Sequence, residues 1–484
     1  MFCRGTLRFI SLRKLVLLDA MNLLVNDTIA AIATPIGTGA ISVIRISGPD
    51  ARAVGDRIFR GSVFLSDVPG YSVHHGRIVE TGGESIDEVL ATVFRSPHSY
   101  TGEDSVEFSC HGGMLVTHRV LDAVIGAGAR QAEPGEFTKR AFLEGRIDLS
   151  QAEAVADLIA AQSGRALRMS MEQLEGRLSG RVRSLRSDLL SLCALLEIDL
   201  DFSEEGIDVI SGEEIAGKIS AADKAIEELA DSFELGKIYR EGVSVVLAGR
   251  PNAGKSSLFN ALLKQERAIV TPVPGTTRDS LEESIAVDGI LFRMTDTAGL
   301  RASEDIVEIE GVNRSKAILQ RADIIVEVID SANEDERDAM LDRYVAFHPD
   351  QGMIVAYNKI DIRGARERHP HVQTKNAGFP LEIYLSAKTG EGLQELRKSL
   401  VSLATKHGTS QEGSLRVTNR RHWDALMNAR KSLASAMGSL TAKVSNEFIA
   451  FDVREATSAL AEITGEVTTE EILNSIFKTF CIGK

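Results

Sequence analysis

Residues 249–256, Gly-Arg-Pro-Asn-Ala-Gly-Lys-Ser, match the pattern GxxxxGK[ST]. The apolar run 243–248 before them predicts a buried strand, and residues 257–262 after them predict a helix. In that context a glycine-rich turn directs consecutive backbone N–H groups toward phosphate oxygens, and the lysine reaches the β- and γ-phosphates. The chain is therefore expected to fold a doubly wound α/β domain around a nucleotide site.

Three more motifs follow predicted strands in the same region. They are Asp-Thr-Ala-Gly at 296–299, Asn-Lys-Ile-Asp at 358–361 and Ser-Ala-Lys at 386–388. Each motif alone is typical of a polar turn, but four in this order at strand ends predict one site, because the carboxyl ends of parallel strands meet at one edge of a sheet. A carboxylate at Asp361 accepts both N1–H and the 2-amino group of guanine, which adenine does not offer. The predicted nucleotide is GTP.

The predicted site draws on these motifs and on segment 270–279. Its GTP-binding residues are Asn252, Ala253, Gly254, Lys255, Ser256, Ser257, Thr271, Pro272, Val273, Pro274, Gly275, Thr276, Thr277, Asp296, Thr297, Ala298, Gly299, Asn358, Lys359, Asp361, Ser386, Ala387 and Lys388. The hydroxyls of Ser256 and Thr277 are the predicted Mg²⁺ ligands, and Asp296 holds the ion through water. Lys255 is also a predicted catalytic residue, because it reaches the oxygens of the transferred phosphate.

Leu300 follows the Asp-Thr-Ala-Gly motif, at the position where small signalling GTPases carry a glutamine that orients the attacking water. A leucine side chain cannot orient water. Hydrolysis must therefore be organised by a partner residue, a cation or another carboxylate, and these three alternatives stay open at this point.

The rest of the 484-residue chain predicts further domains. Short apolar runs separated by Gly, Pro and Ser up to about residue 128 indicate strands with intervening helices, whereas 149–235 is amphipathic and almost free of proline. We expect a multidomain α+β and α/β chain in which a Ras-like G domain is inserted into a split all-helical domain. The predicted boundaries are 27–145 for an N-terminal α+β domain, 146–241 and 405–484 for the helical halves, and 242–404 for the G domain.

Residues 1–26 form an extension with basic residues, Arg4, Arg8, Arg13 and Lys14, among apolar ones. Such a segment is typical of an organellar presequence. The alternative is that translation starts at Met21 and that the segment is a mis-assigned start.

Composition restricts the class of protein. The chain is 43% hydrophobic and 26% charged, has a formal net charge of −14 and contains four cysteines without a CxxC pair. These values predict a globular protein of a reducing compartment without a disulfide framework or zinc ribbon. No apolar run approaches the roughly 20 residues that span a bilayer. The expected location is cytoplasmic, or the mitochondrial matrix if the extension is a real presequence.

Four features of the sequence resemble the MnmE (TrmE) family of tRNA-modifying GTPases. They are Asn252, the Pro-Gly-Thr-Thr-Arg-Asp segment at 274–279, Asp-Thr-Ala-Gly-Leu-Arg at 296–301 and the final Phe-Cys-Ile-Gly-Lys at 480–484. The resemblance runs from about residue 27 to the last residue. GTPases that assist ribosome assembly share the G motifs and the leucine, whereas the Cys-Ile-Gly-Lys end is far more specific.

The resemblance implies a potassium-activated GTPase whose G domains dimerise across their switch regions. Potassium would be bound by Asn252, by the side chain of Thr276 and by the carbonyls of Thr271 and Val273, in place of an arginine finger. Glu308 matches the family's catalytic glutamate, which orients or activates water. The acidic residues around Glu308, taken alone, predict instead a solvated surface residue.

The resemblance also implies a tetrahydrofolate derivative, of the 5-formyl or methylene type, bound by Arg45, Glu107 and Lys484. Arg146 stands where the family often has lysine, which keeps the charge but changes the geometry. Cys481 would lie near the folate as a catalytic thiol, although a packed cysteine at a helix end is the commoner state of a free thiol. The sequence leaves open whether its role is nucleophilic or structural.

The function that the resemblance implies is GTP hydrolysis coupled to modification of C5 of the wobble uridine in certain tRNAs. The expected partners are a second copy of the chain, tRNA and the FAD-dependent protein MnmG (GidA), which alone would hold FAD in a heterotetramer. A folate would supply the one-carbon unit of an aminomethyl or carboxymethylaminomethyl group. The alternatives are a ribosome-assembly GTPase and a regulatory module whose GTPase times partner release.

Overall fold

The computed structural model describes residues 27–80, 82–203, 209–265, 282–296, 318–331, 351–362, 381–406 and 415–484. These residues divide into two compact units. One contains the described residues up to Ala156 together with Thr464–Lys484, and the other spans Asp157–Ile463. None of the helices within these ranges is long and apolar enough to cross a membrane.

The first unit is built on a seven-stranded sheet in the order β3-β4-β5-β6-β2-β1-β7. Its strands are β1 (Ile29–Ile32), β2 (Ile41–Ser47), β3 (Phe59–Gly61), β4 (Ser72–Val79), β5 (Ser85–Phe94), β6 (Ser105–His111) and β7 (Arg130–Gln131). All pairs are antiparallel except β1 with β7. The helices α1 (Ala51–Ile58) and α2 (Met114–Gly126) share a core with inward residues such as Ile44, Ile46 and Phe108.

Alternation along β2 places Ile44 and Ile46 in this core and Arg45 on the opposite face. The register pairs Arg45 with Glu107 of β6. The helices α3 (Glu136–Leu143) and α4 (Leu149–Ala160) follow the sheet in sequence. The strand alternation therefore builds a second, more polar face on the sheet.

The second unit contains the predicted helical bundle. Its helices before the G domain are α5 (Gly164–Leu174), α6 (Arg177–Ser203), α7 (Gly212–Asp231) and α8 (Phe233–Glu241). Ser163 and Ser211 cap α5 and α7 by accepting hydrogen bonds from backbone N–H groups in the first turn.

The G domain forms a six-stranded sheet in the order β13-β12-β11-β8-β10-β9. Its elements are β8 (Val243–Ala248), α9 (Lys255–Gln265), β9 (Glu282–Val287), β10 (Ile290–Asp296), β11 (Ile324–Asp330), β12 (Gly352–Asn358), β13 (Leu381–Tyr384) and α10 (Leu393–Ala404). All neighbours are parallel except the hairpin of β9 and β10. The predicted doubly wound α/β domain is confirmed, and its parallel strands end at one edge.

The bundle continues after the G domain with α11 (Arg420–Thr441) and α12 (Asn446–Thr464). Residues from both sides of the G domain share one core, for example Leu192, Ile226, Leu426 and Val453. The predicted split of the helical domain is therefore confirmed. The exact domain boundaries remain predictions.

The last helix, α13 (Glu470–Phe477), belongs to the first unit. Phe477 and Phe480 form a small core with Leu149 and Ala152 of α4. Gly135 has a φ of 70°, and a Cβ there would lie 2.6 Å from the carbonyl oxygen of Phe477. This close approach holds the C-terminal residues against the N-terminal part of the chain.

Candidate nucleotide site and C-terminal cluster

The loop between β8 and α9 is closely packed at two glycines. Gly249 has a φ of 135°, and a Cβ there would lie 2.3 Å from the carbonyl oxygen of Val328. Gly254 has a φ of 95°, and a Cβ there would lie 2.2 Å from Nδ2 of Asn358. Both positions require glycine for conformation and for space. The predicted phosphate loop thus lies tightly on β11 and on the end of β12.

Lys255 begins α9 with its side chain directed onto this loop. It is only 6% exposed, and its Nζ donates to the carbonyl oxygens of Gly249 at 2.9 Å and Arg250 at 2.8 Å. Ser256 and Ser257 are exposed in the first turn of the same helix, where N–H groups and the helix dipole favour anions. The ammonium group and the helix N-terminus therefore converge where phosphates are predicted to bind.

Asn358 joins the phosphate loop to the base-binding loop. Its buried side chain donates from Nδ2 to the carbonyl oxygen of Ala253 at 2.9 Å. Its Oδ1 accepts from the backbone N–H groups of Lys359 at 2.8 Å and Ala387 at 3.0 Å. One amide thus satisfies groups from three of the predicted motifs.

The predicted guanine pocket is also assembled. Ser386 Oγ donates to Oδ1 of the exposed Asp361 at 2.7 Å and accepts from the backbone N–H of Thr389 at 3.1 Å. Lys388, in the same loop, is exposed. The hydroxyl of Ser386 holds the carboxylate of Asp361 in one orientation, which a base-recognising acceptor needs.

Asp330 is a residue of this region that the sequence motifs do not include. Its Oδ2 lies 2.7 Å from Nζ of Lys359, a residue with a φ of 69°. The sequence feature that points to Asp330 is its position as an acidic residue at the carboxyl end of a buried strand, β11. A contact between two different strand ends has no sequence spacing that would reveal it.

Several predicted site residues lie outside the described residues. They are Thr271, Pro272, Val273, Pro274, Gly275, Thr276, Thr277, Thr297, Ala298, Gly299 and Glu308. Asp296 ends β10, and its backbone pairs with Leu247, two residues before Gly249. Asn252, the remaining predicted potassium ligand, lies exposed in the phosphate loop with a φ of 65°.

A second cluster lies on the polar face of the first unit's sheet. Arg45 Nε donates to Oε1 of Glu107 at 2.7 Å. The Arg45 guanidinium lies over the rings of Tyr100 and Phe137, at 4.9 and 5.6 Å from their centroids. Its buried Nη1 has no hydrogen-bond partner within the described ranges. Neither ring is apparent from the sequence, because both residues lie outside the two strands that carry Arg45 and Glu107.

The C-terminal residues complete this cluster. Burial lowers the pKa of Lys484, and Arg45 lowers it further, whereas Glu107 and Cys481 raise it. Gly483 has a φ of 96°, and a Cβ there would lie 2.1 Å from the carbonyl oxygen of Ile32. The structure thus brings together four residues that sequence analysis singled out at opposite ends of the chain.

The thiols differ in exposure. Cys481 is exposed, whereas Cys110 and Cys193 are buried. Burial raises the pKa of each buried thiol to about 11. Both are therefore protonated near neutral pH, and Cys481 is the accessible thiol in the part of the chain that the structure describes.

Arg146, between α3 and α4, contacts the loop that carries Tyr100. It donates to the carbonyl oxygens of Pro97, at 3.0 Å, and of Ser99. These two hydrogen bonds hold the loop, which is a structural role for Arg146. Its predicted folate contact remains a prediction.

The strand order, the phosphate loop after β8 and the pocket of Asn358, Asp361 and Ser386 define a P-loop GTPase. Two family models match the chain: "GTP-binding protein TrmE N-terminus" over residues 28–146 and "MnmE helical domain" over residues 149–481. The chain belongs to the MnmE (TrmE) family, the tRNA modification GTPases.

Curated relatives agree with this assignment. The chain is 45% identical over 463 residues to the tRNA modification GTPase MnmE of Chlorobium luteolum, with 94% of this chain and 97% of the relative covered. It is 41% identical over 464 residues to that of Syntrophus aciditrophicus, with 95% and 100% covered. Among solved structures, the G domain of the T. maritima FeoB iron transporter is 29% identical and covers 34% of this chain and 98% of its own, with a TM-score of 0.26.

Proposed function

We propose that this protein couples GTP hydrolysis to modification of C5 of the wobble uridine in certain tRNAs, adding an aminomethyl or carboxymethylaminomethyl group. The single observation that carries the proposal is that Lys484 lies within electrostatic reach of Arg45, Glu107 and Cys481. A GTPase that acts only as a timer or on ribosomes has no need of this second polar cluster. The relatives are named tRNA modification GTPases, which supports the same substrate class.

The nucleotide part of the cycle uses the site around Lys255. Lys255 neutralises charge on the phosphates, the hydroxyl of Ser256 would bind Mg²⁺, and Asp361 recognises guanine. Mg²⁺ supplies charge stabilisation at the phosphates when it is bound. Thr277 would be its second hydroxyl ligand.

We attribute the activation of hydrolysis to potassium and to Glu308. Leu300 cannot orient water, and Asn252 supplies an exposed amide oxygen beside the phosphate loop. Potassium bound by Asn252, Thr271, Val273 and Thr276 would stabilise the leaving phosphate as an arginine finger does.

The Arg45 cluster fits a tetrahydrofolate derivative. Tyr100 and Phe137 offer aromatic surface, and the unpartnered Nη1 of Arg45 and the ammonium of Lys484 suit acceptor oxygens or carboxylates. Arg45, Glu107 and Lys484 would hold the group, with Arg146 fixing the adjoining loop. When bound, the folate supplies a one-carbon unit.

Cys481 would act next to this group. Its thiol is exposed and within electrostatic reach of Lys484. This setting supports a functional thiol.

A homodimer through the first unit is supported by exposed apolar side chains on the face of the sheet that carries Arg45. Ile41, Val73 and Leu90 are exposed there by 64%, 59% and 46% on strands β2, β4 and β5. Exposed apolar side chains that share one face favour contact with another protein surface.

Three further points complete the proposal. The G domains would contact each other transiently, and the chain would form a heterotetramer with FAD-bound MnmG. The location would be cytoplasmic.

The test is mass spectrometry of nucleosides from tRNA of cells that lack this gene, complemented with the wild type or with Cys481→Ser. The wild type should restore the C5-modified wobble uridine, and the serine variant should not. Cys193→Ser is the matched control, because Cys193 is buried in the helical bundle. An unchanged nucleoside profile in the deletion strain would reject tRNA modification and favour a ribosome-assembly GTPase.

A further inference from the structure

The G domain is joined to the helical bundle by two segments that lie against each other. The hydroxyl oxygen of Ser232 accepts from the backbone N–H of Val417 at 3.0 Å. A Cβ on Gly236 of α8 would lie 2.1 Å from the carbonyl oxygen of Val417. Helix α8 before the G domain and residues 415–419 after it are therefore packed as one connection.

Tyr239 lies at the centre of this connection. It is 3% exposed, and two guanidinium groups lie over its ring, Arg165 at 5.0 Å and Arg416 at 5.2 Å from the centroid. Arg165 also donates from Nη1 to the hydroxyl of Tyr239. The next residue, Arg240, pairs with Asp157 of the same unit at 2.9 Å.

Arg165 also contacts the G domain itself. Its Cγ lies 2.6 Å from the position that a Cβ on Gly289 would occupy. Gly289, with a φ of 80°, forms the turn between β9 and β10 with Asp288. Glycine at 289 thus allows the stem of Arg165 to lie directly on this turn.

Two strands connect this contact to the nucleotide site. Strand β10 starts directly after Gly289 and ends at Asp296, the first residue of the Asp-Thr-Ala-Gly motif. Strand β8 starts two residues after α8 and leads to the phosphate loop, and the two strands pair in parallel. Arg165 and Tyr239 therefore lie at the opposite ends of the strands that carry two of the nucleotide motifs.

We propose that Arg165, held on the ring of Tyr239, is a positioning residue that couples the nucleotide state of the G domain to the helical bundle. This inference rests on the proposed function, in which GTP hydrolysis is coupled to tRNA modification. A movement of β10 that follows loss of the γ-phosphate would reach Arg165 at Gly289 and then α8 through Tyr239. A planar guanidinium keeps its attraction to an aromatic ring over a range of positions, which suits a contact that shifts.

The test compares Arg165→Lys with Arg168→Lys in the full-length protein. Arg168 is exposed on the same helix, about one turn away, and provides a matched control. Hydrogen exchange of α8 is measured with GDP and with a non-hydrolysable GTP analogue. In the wild type and in Arg168→Lys we expect exchange of α8 to differ between the two nucleotides. In Arg165→Lys we expect this difference to be lost.

Activity provides the second measurement. We expect Arg165→Lys to keep a GTP hydrolysis rate within about twofold of the wild type, while wobble-uridine modification per GTP hydrolysed falls about tenfold, the size of a typical coupling. Tyr239→Phe keeps the ring and both cation contacts, so it should retain most of the coupling.

Two results would overturn the inference. One is a wild-type α8 whose exchange does not respond to the nucleotide, and the other is an Arg165→Lys variant with wild-type exchange and modification. Failure of the proposed function is distinguishable, because the exchange measurement does not involve tRNA. If deletion of the gene leaves the wobble uridine modified, the function is wrong, while the exchange data still decide the coupling.

Discussion

The side-chain amide of Asn358 donates to the carbonyl oxygen of Ala253 across 2.9 Å and so ties the base-recognition motif to the phosphate loop. The two residues are 105 positions apart in the chain. The predicted phosphate-binding and base-binding parts of the site are therefore mechanically linked, and changes at this link should affect both.

Asn358→Ala should lower GDP and GTP affinity by about 10- to 100-fold. The variant leaves buried backbone groups of Ala253 and Ala387 without their partner, at a cost of about 1–3 kcal/mol. Equilibrium binding of a fluorescent guanine nucleotide measures the effect. Asn260→Ala, at an exposed position of α9, is the control and should bind as the wild type does. Equal affinities of the two variants would contradict the linkage.

Gly254→Ala should abolish nucleotide binding. The new Cβ would lie 2.2 Å from Nδ2 of Asn358. Gly390→Ala is a matched control, because Gly390 also has a positive φ, 86°, but has open space around its Cβ position. Backbone strain is thus similar in both variants, and only the first has a collision. Calorimetric titration with GDP should detect binding in the Gly390 variant alone.

Asp361→Asn should change the base preference from guanine to xanthine. In the proposed pocket the carboxylate of Asp361 would accept two hydrogen bonds from guanine, whereas an amide can donate to the 2-oxo group of xanthine. We expect GTP affinity to fall by about tenfold or more and XTP affinity to rise. Competition binding with GTP, XTP and ATP measures the preference. An Asn variant that still prefers GTP would remove Asp361 from the pocket.

GTP hydrolysis should be markedly faster in potassium chloride than in sodium chloride of the same ionic strength. The expectation comes from Leu300 together with Asn252. Single-turnover phosphate release measures the rates, and Asn252→Ala should reduce the difference between the salts. Equal wild-type rates would exclude activation by a specific cation.

As pH rises, folate binding should weaken at a lower pH than it would if Lys484 had the pKa of an ordinary lysine. Burial and Arg45 lower the pKa of Lys484, so its positive charge is present at low pH and is lost as pH rises through this lowered value. Titration with 5-formyltetrahydrofolate between pH 7 and pH 10 follows the loss. Lys484→Arg should keep binding at the high end, since arginine stays charged. A pH-independent wild type would show that the Lys484 charge takes no part.

The sequence predicts the G domain well because its motifs depend on local geometry. The strand, the glycine turn and the helix are adjacent at residues 243–262. The positions of the phosphate loop, the lysine and the helix N-terminus can therefore be predicted from their spacing in the chain. The contact of Asp330 with Lys359 joins two separate strand ends, and no local pattern encodes it. The rings of Tyr100 and Phe137 beside Arg45 depend in the same way on how distant segments pack.

The approach of Gly483 to Ile32 has a consequence for biosynthesis. Arg45 emerges from the ribosome early, but Cys481 and Lys484 follow more than 400 residues later. At about 5–20 residues per second, translation between these points takes roughly 20–90 s. The N-terminal sheet can fold during that interval, while its polar cluster must wait until synthesis has passed Lys484. Nascent chains stalled before that point would carry an assembled sheet and an incomplete polar cluster.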